Sequence, residues 1–234
     1  MSAIPERIAL SSGDQPLRIV RRRSARRFIL RLDDEDDAVV LTLPRYASFA
    51  AALRFLEDNR GWIEQRLGEL PPRVAFADGV EIPILGVPHV IRHRGDRSGH
   101  GAAWLESGTL CVTGDIRHLA RRVTDFLREL ARRELGLRAR AMAAAIGRHV
   151  LRISVRDTRT RWGSCAHDGA LCFSWRLILA PSAVVDYVVA HEIAHLKHMN
   201  HGARFWRAVE DLAPGSSAQR SWLRRNRARL LRFG

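Results

Sequence analysis

Lysine is almost missing from this chain of 234 residues: Lys197 is the only one, although lysine and arginine together number 39 against 25 acidic residues. The formal charge of +14 is therefore carried by arginine, and the pI is near 11.4. Such a field attracts polyanions, whether nucleic acid, nucleotides or acidic protein surfaces. A GC-rich genome also favours arginine codons, which weakens the excess as evidence for any one of them. Cysteine is scarce as well. Cys111, Cys165 and Cys172 are odd in number and form no C-x-x-C, which excludes a disulfide framework and points to reduced thiols in a cytoplasmic setting. Long apolar runs are lacking: the best candidate, Leu177 to Ala190, is cut by Pro181 and Asp186 and falls short of the ~20 residues a spanning helix needs. No stretch pairs a strong apolar face with a basic one as an interfacial helix does. Met1 to Arg7 has no apolar core of a signal peptide. A soluble protein without membrane contact is expected. Neither an internal repeat nor a low-complexity linker interrupts the chain.

What is present is His191-Glu192-Ile193-Ala194-His195, with His201 six residues on. Helix positions four apart share a face, so His191 and His195 can aim two imidazoles at one point. A catalytic zinc ion takes three protein ligands and keeps one position open. His201 completes that set if the chain turns back after the helix. Glu192 projects beside the pair, where its carboxylate can take a proton from a metal-bound water without becoming a ligand. Pro181 starts the helix, and Val184, Val185, Val188, Val189, Ile193 and Leu196 give it an apolar flank. His198 shares the face of the two motif histidines, but a straight helix carries it ~10 Å along the axis from His191, too far to share the ion. Asn200 and Gly202 tolerate a left-handed backbone, which places the turn at Met199–Gly202.

Taken in order, Arg18–Val20, Phe28–Leu32 and Val39–Leu43 read as strands, the last two closing a hairpin around the acidic turn Asp33–Asp37. Arg21, Arg22, Arg23, Arg26 and Arg27 cluster beside it; a solvated edge that discourages aggregation is the simpler reading, a polyanion contact the other. Ser48 caps a helix to about Leu70, bent near Gly61-Trp62 and ended by Pro71-Pro72. Short strands follow at 80–85, 89–92, 103–106 and 109–112, with glycine-rich turns such as Gly95–Gly99 between them. His89, His93, His100 and His118 match no metal template. A long helical pattern covers about 115–149, with a break marked by Gly136. Extended pieces at 151–155, 160–165 and 171–178 precede the motif helix, Pro181–His198. Helices at 203–212 and about 216–231 close the chain, and Phe205, Trp206 and Val209 point inward.

A second motif, Arg161-Trp162-Gly163-Ser164-Cys165, stands upstream of the first. With it, and with Trp175 to Pro181, Asp186 to Val189, Asn200-His201 and Phe205-Trp206, the chain resembles the YgjP-like zinc metallopeptidases, relatives of the SprT-like and WLM-type proteases. Ser174 departs from the pattern, where asparagine is usual. The resemblance implies an α+β fold in three parts. A β-rich N-terminal region with one helix covers 1–114, a long connecting helix 115–150, and a compact zincin-like catalytic domain with a basic C-terminal helix 151–234. In that last part a small sheet lies against the active-site helix. It implies zinc held by His191, His195 and His201, with Glu192 as general base. Peptidases with this motif pair an edge strand with extended substrate, and the candidate here is the segment from Cys165 to Phe173. Arg161 and Trp162 stand near it. Arg161 can steady a substrate carbonyl or hold the fold by pairing with Asp186 or Glu210, the latter preferred. Cys165 has no base beside it and reads as a small buried thiol. Tyr187, one turn before His191, reads as packing.

The expected activity is peptide-bond hydrolysis through a zinc-activated water, with protein or peptide as substrate. Two rivals stand beside it. A metal-dependent nucleotide phosphohydrolase suits the arginine excess, but the chain has no Walker-type loop and no carboxylate cluster for magnesium. A basic nucleic-acid-binding protein with structural zinc would want a fourth ligand. A DNA-associated protease lies between the two, supported only by the arginines of the last helix, Arg220, Arg224, Arg225, Arg227, Arg229 and Arg232.

Overall fold

Val39 to Leu43 is apolar except for Thr42 and rich in β-branched residues, the pattern of a strand covered on both faces, and it forms the centre of the first sheet. The structure, a computed structural model, describes residues 6–11, 13–33, 36–95 and 101–234. It divides into two compact units, Met1–Pro72 and Arg73–Gly234.

In the first unit, strands β1 (Arg7–Leu10), β2 (Gly13–Arg22), β3 (Ile29–Leu32) and β4 (Val39–Pro44) form one sheet in the order β1-β2-β4-β3. β3 and β4 make the expected antiparallel hairpin, Leu32 opposite Val39; Asp34 and Glu35 of its acidic turn lie outside the described residues. β2 pairs with β4 in parallel, and β1 was not foreseen. Ser48 caps the next helix as expected, its Oγ accepting from Ala51 N at 3.1 Å. That helix is two: α1 (Phe49–Asp58) and α2 (Arg60–Gly68). The break falls at Asn59, whose side chain donates back to the Phe55 carbonyl at 2.7 Å, and not at Gly61-Trp62. Leu17, Val39, Leu41, Leu43, Ala52, Leu56 and Ile63 form this unit's core.

The second unit holds β5 (Glu81–Ile84), β6 (Val87–His93), β7 (Ala103–Glu106) and β8 (Thr109–Val112) as a sheet ordered β5-β6-β8-β7. Most of the turn Gly95–Gly99, and His100, lie outside the described residues. The compact unit begins at Arg73, so these four strands, assigned above to the N-terminal region, share a core with everything that follows. Ile82, Ile91 and Leu110 bury themselves in one cluster with Val123, Leu127, Phe173, Trp175 and Val189. Helix α3 (Leu119–Ala145) runs unbroken through Gly136, which is buried on its inner face. A second sheet, ordered β10-β11-β9, consists of β9 (Arg152–Arg156), β10 (Gly163–Cys165) and β11 (Ala170–Ser174). β11 stops at Ser174, earlier than expected. Trp175–Leu179 then winds into a fully buried 3-10 turn that leads into α4 (Ser182–Ala194), α5 (Ala203–Leu212) and α6 (Ser216–Leu231). Among the described residues no helix is long and apolar enough to cross a membrane.

Candidate metal centre

α4 is apolar nearly all round and buries residues on most of its circumference, from Val184 to Ala194, as a helix enclosed by protein must. Its place against α3 is set by one arginine. Arg138 donates to Asp186 Oδ1 at 2.9 Å, to Ser182 Oγ at 3.2 Å and to Glu134 Oε2 at 2.6 Å. Nothing in the sequence singled out Arg138, which looks like one more arginine on the polar side of a long helix.

The helix stops at Ala194, with His195 as its C-cap, several residues before the expected end at His198. The turn that brings His201 back uses no left-handed residue: Gly202 has φ −79°, and Asn200 is not among the positive-φ residues. The foreseen reversal is therefore present, but it begins at His195 and needs no special backbone. His198 takes part through its carbonyl, which lies 3.2 Å from His195 Nδ1.

The three imidazoles converge. Ring centroids are 5.1 Å apart for His191 and His195, 5.0 Å for His191 and His201, and 4.8 Å for His195 and His201. One nitrogen from each lies within 4.8 Å of the others. His201 Nε2 and His191 Nε2 are 3.2 Å apart, and a tetrahedral zinc with ~2.0–2.1 Å bonds holds its ligand atoms roughly 3.3 Å apart. The donor set fits a divalent ion in one further way. His195 can donate Nδ1–H to the His198 carbonyl, which leaves Nε2 unprotonated and free to ligate, the outer-shell arrangement of ligating histidines. His191 turns Nε2 toward His201, and its Nδ1 is buried with no hydrogen-bond partner among the described residues, so it has no outer-shell acceptor like that of His195. Burial, then the neighbouring His195 and His201, holds His191 down to about 4, and burial also lowers His195. Both rings are thus neutral near pH 7, the state that binds metal. Phe205 is fully buried beneath all three rings, with centroids 4.9, 4.6 and 4.6 Å from His191, His195 and His201. Trp206 stands 5.8 Å from His191 and from His201. Both point inward as expected, Phe205 fully and Trp206 only partly buried, but their contact with the histidine rings has no signal in the spacing.

Glu192 is buried, 6% exposed, and burial raises its carboxyl to about 7 against the opposing effects of the Arg161 charge and a backbone hydrogen bond from Cys165. That bond identifies the open edge of the small sheet. β10 is an edge strand, antiparallel to β11. Ladder bonds such as Ser174 N to the Trp162 carbonyl and Ala166 N to the Ala170 carbonyl direct the even-numbered residues toward β11. Alternation then turns the backbone groups of Gly163 and Cys165 away from it. The edge facing the site is therefore Gly163–Cys165, and the segment Cys165–Phe173 is corrected accordingly: Phe173 is on the central strand and wholly buried, so it serves the core. Cys165 is half-buried and its thiol is pushed up to about 11, by burial first and then by Glu192 and Asp168, which leaves it no nucleophile. Arg161 pairs with neither expected partner. Asp186 is held by Arg138, and Glu210 accepts from Gly215 N and from both Ser216 N and Oγ. Trp162, Gly163, Tyr187, Val188, His191 and Leu223 line a cleft of about 220 Å³ beside Glu192. Tyr187 thus borders the site as well as packing, and burial raises its hydroxyl.

No curated protein sequence matches the chain. Among solved structures, the metallopeptidase zymogen abylysin of Pyrococcus abyssi is similar at 20% identity and a TM-score of 0.31, covering 43% of this chain and 92% of that one; so distant a likeness says nothing about this site. A family model of the YgjP-like metallopeptidase domain matches residues 26–226. That span takes in the edge strand, Glu192 and all three histidines, and with most of the sequence inside it this chain belongs to the YgjP-like metallopeptidases, a family of peptide-bond hydrolases.

Proposed function

We propose that the chain is a zinc-dependent peptidase in which His191, His195 and His201 hold the ion and Glu192 manages the proton. The supporting observation is that three imidazole nitrogens lie within 4.8 Å of one another with a buried carboxylate on the adjoining helix turn. When bound, zinc supplies Lewis acidity, lowering the pKa of water and polarising a carbonyl. Glu192 accepts a proton from the attacking water on a carboxylate oxygen and returns it to the departing amine. A carboxyl poised near neutrality can do both. The Cys165 N–H is engaged by Glu192, and the remaining backbone groups of Gly163 and Cys165 on the β10 edge are offered to an extended peptide, which adds as a further strand, while the cleft under Trp162 and Tyr187 receives one of its side chains. Neutral His191 and His195 stay unprotonated at working pH because they are partly buried.

The experiment is metal analysis of the purified protein together with hydrolysis of a mixed peptide pool, before and after chelation and zinc return. One zinc per chain and zinc-restored cleavage are expected. A zinc-loaded protein that cleaves no peptide contradicts the proposal.

A further inference from the structure

A groove of about 670 Å³ opens beside the histidine cluster, lined by Trp206, Glu210, Ser217, Arg220, Ser221 and Arg224. Arg220 and Arg224 are one helical turn apart on α6, so they present their guanidiniums on one face. Several surface arginines elsewhere are answered by nearby acids, as in Arg60 with Glu57, Arg121 with Asp125 and Arg132 with Glu129. α6 differs: it carries five arginines and no acidic residue. Neither Arg220 nor Arg224 has a carboxylate partner among the described residues. The one carboxylate in the groove, Glu210, accepts from Gly215 N at 2.7 Å and from Ser216 N and Oγ at 3.1 and 2.6 Å, so it is directed to the start of α6, and the two guanidiniums leave the groove with a net positive charge. The bonds to Glu210 cap α6 and hold its carboxyl below the usual range.

The groove is tied to the catalytic cluster through Trp206. The Arg220 guanidinium lies 5.1 Å above the Trp206 ring, and that ring lies 5.8 Å from His201. These two steps put the guanidinium within about 11 Å of the imidazole, the length of roughly three residues of extended chain at ~3.3 Å each. We infer that the groove binds a carboxylate of the peptide substrate, from an acidic side chain or from its C-terminus, two or three residues from the bond that is cut. Arg220 and Arg224 supply the charge, in the forked geometry that guanidinium offers a carboxylate, and Ser217 and Ser221 supply neutral donors. The inference rests on the peptidase reading and gives it a substrate class.

Binding and cleavage are measured separately. Fluorescein-labelled peptides that differ by a single Asp→Asn exchange, each made with a free and an amidated C-terminus, are titrated at low salt against zinc-loaded Glu192→Gln protein. The same peptides are assayed for kcat/KM with the unaltered enzyme. Tightening of about tenfold is expected for the acid at one position, or for the free C-terminus, which tells the two sources apart. The preference should weaken with salt. It should fall to about one in Arg220→Gln/Arg224→Gln, and at least by half in Arg224→Gln alone, a change at an exposed position that spares the Trp206 contact. Equal Kd values for acidic and neutral peptides, no peptide binding at all, or a preference that survives both variants would overturn the inference. Absence of cleavage by the unaltered enzyme counts against the peptidase reading instead, and the Kd comparison still decides the groove.

Discussion

Glu192 lies directly against the backbone of Gly163: a Cβ added to that glycine would meet Glu192 Oε1 at 2.6 Å and Cγ at 2.7 Å. Only glycine lets the edge strand approach the Glu192 carboxylate so closely. Gly163→Ala is therefore expected to push the carboxylate aside while leaving the histidines alone. A kcat/KM lowered by about 100-fold is expected, on the scale of a misplaced catalytic group, with zinc content unchanged in metal analysis. Full activity in this variant would mean that Glu192 has room to work from another position.

Glu192→Gln keeps the shape of the side chain and removes its capacity to carry a proton. Loss of turnover by ~10²–10⁴-fold is expected, the usual share of a general base, with one zinc retained per chain. His195→Ala removes a ligand and should lose both zinc and activity. The pair of measurements separates metal holding from proton transfer.

Stability of the metal-free protein should depend on pH through two opposed groups. Glu192 sits near 7 when folded against 4.5 ordinarily; its contribution is intact below about 4.5 and is lost as pH rises through 7. His191 sits near 4 against 6.5; it costs stability in acid, and that cost is relieved as pH rises from 4 to 6.5. In the native sequence the Glu192 slope offsets that of His191, leaving the rise that His195, also lowered by burial, contributes. In metal-free Glu192→Gln only the histidine slope remains, so urea unfolding should show stability climbing across pH 4–6.5. By pH 8 the variant should exceed the parent by on the order of 2–3 kcal/mol. A parent profile as steep as the variant's would refute this.

The chemistry was easier to read in the sequence than its supports. Spacing alone brings His191 and His195 together, because helix periodicity is local, and Ser48 and the strands 103–106 and 109–112 follow from equally local signals. His201 needed a chain reversal, which was foreseen, although its starting point and backbone were not. The approach of Gly163 to Glu192, the clamp of Arg138 on Asp186 and the groove at Arg220 join residues distant in sequence. No periodicity encodes such meetings, and in a chain this rich in arginine a functional guanidinium looks like any other. The membership of β5–β8 in the core of the second unit is of the same kind, since it depends on tertiary packing around α3.

Arg176 illustrates how such an arginine can matter to stability. It is 5% exposed, donates to Asp157 Oδ1 at 3.0 Å and to the Phe233 carbonyl, and stacks 4.7 Å over Trp175. Arg176→Ala leaves the buried Phe233 carbonyl without its donor and Asp157 with only Arg128, 3.9 Å away, and a loss of about 2 kcal/mol is expected in urea unfolding. A change below about 0.5 kcal/mol would place Arg176 among ordinary surface arginines.

Zinc-edge anomalous diffraction from crystals of the zinc-loaded Glu192→Gln protein tests the central claim most directly. The expected map has one peak at ~2.0–2.1 Å from a nitrogen of each of His191, His195 and His201, with the fourth position open to solvent. A peak that excludes His201, or one closed by a fourth protein ligand, would contradict a catalytic metal at this site.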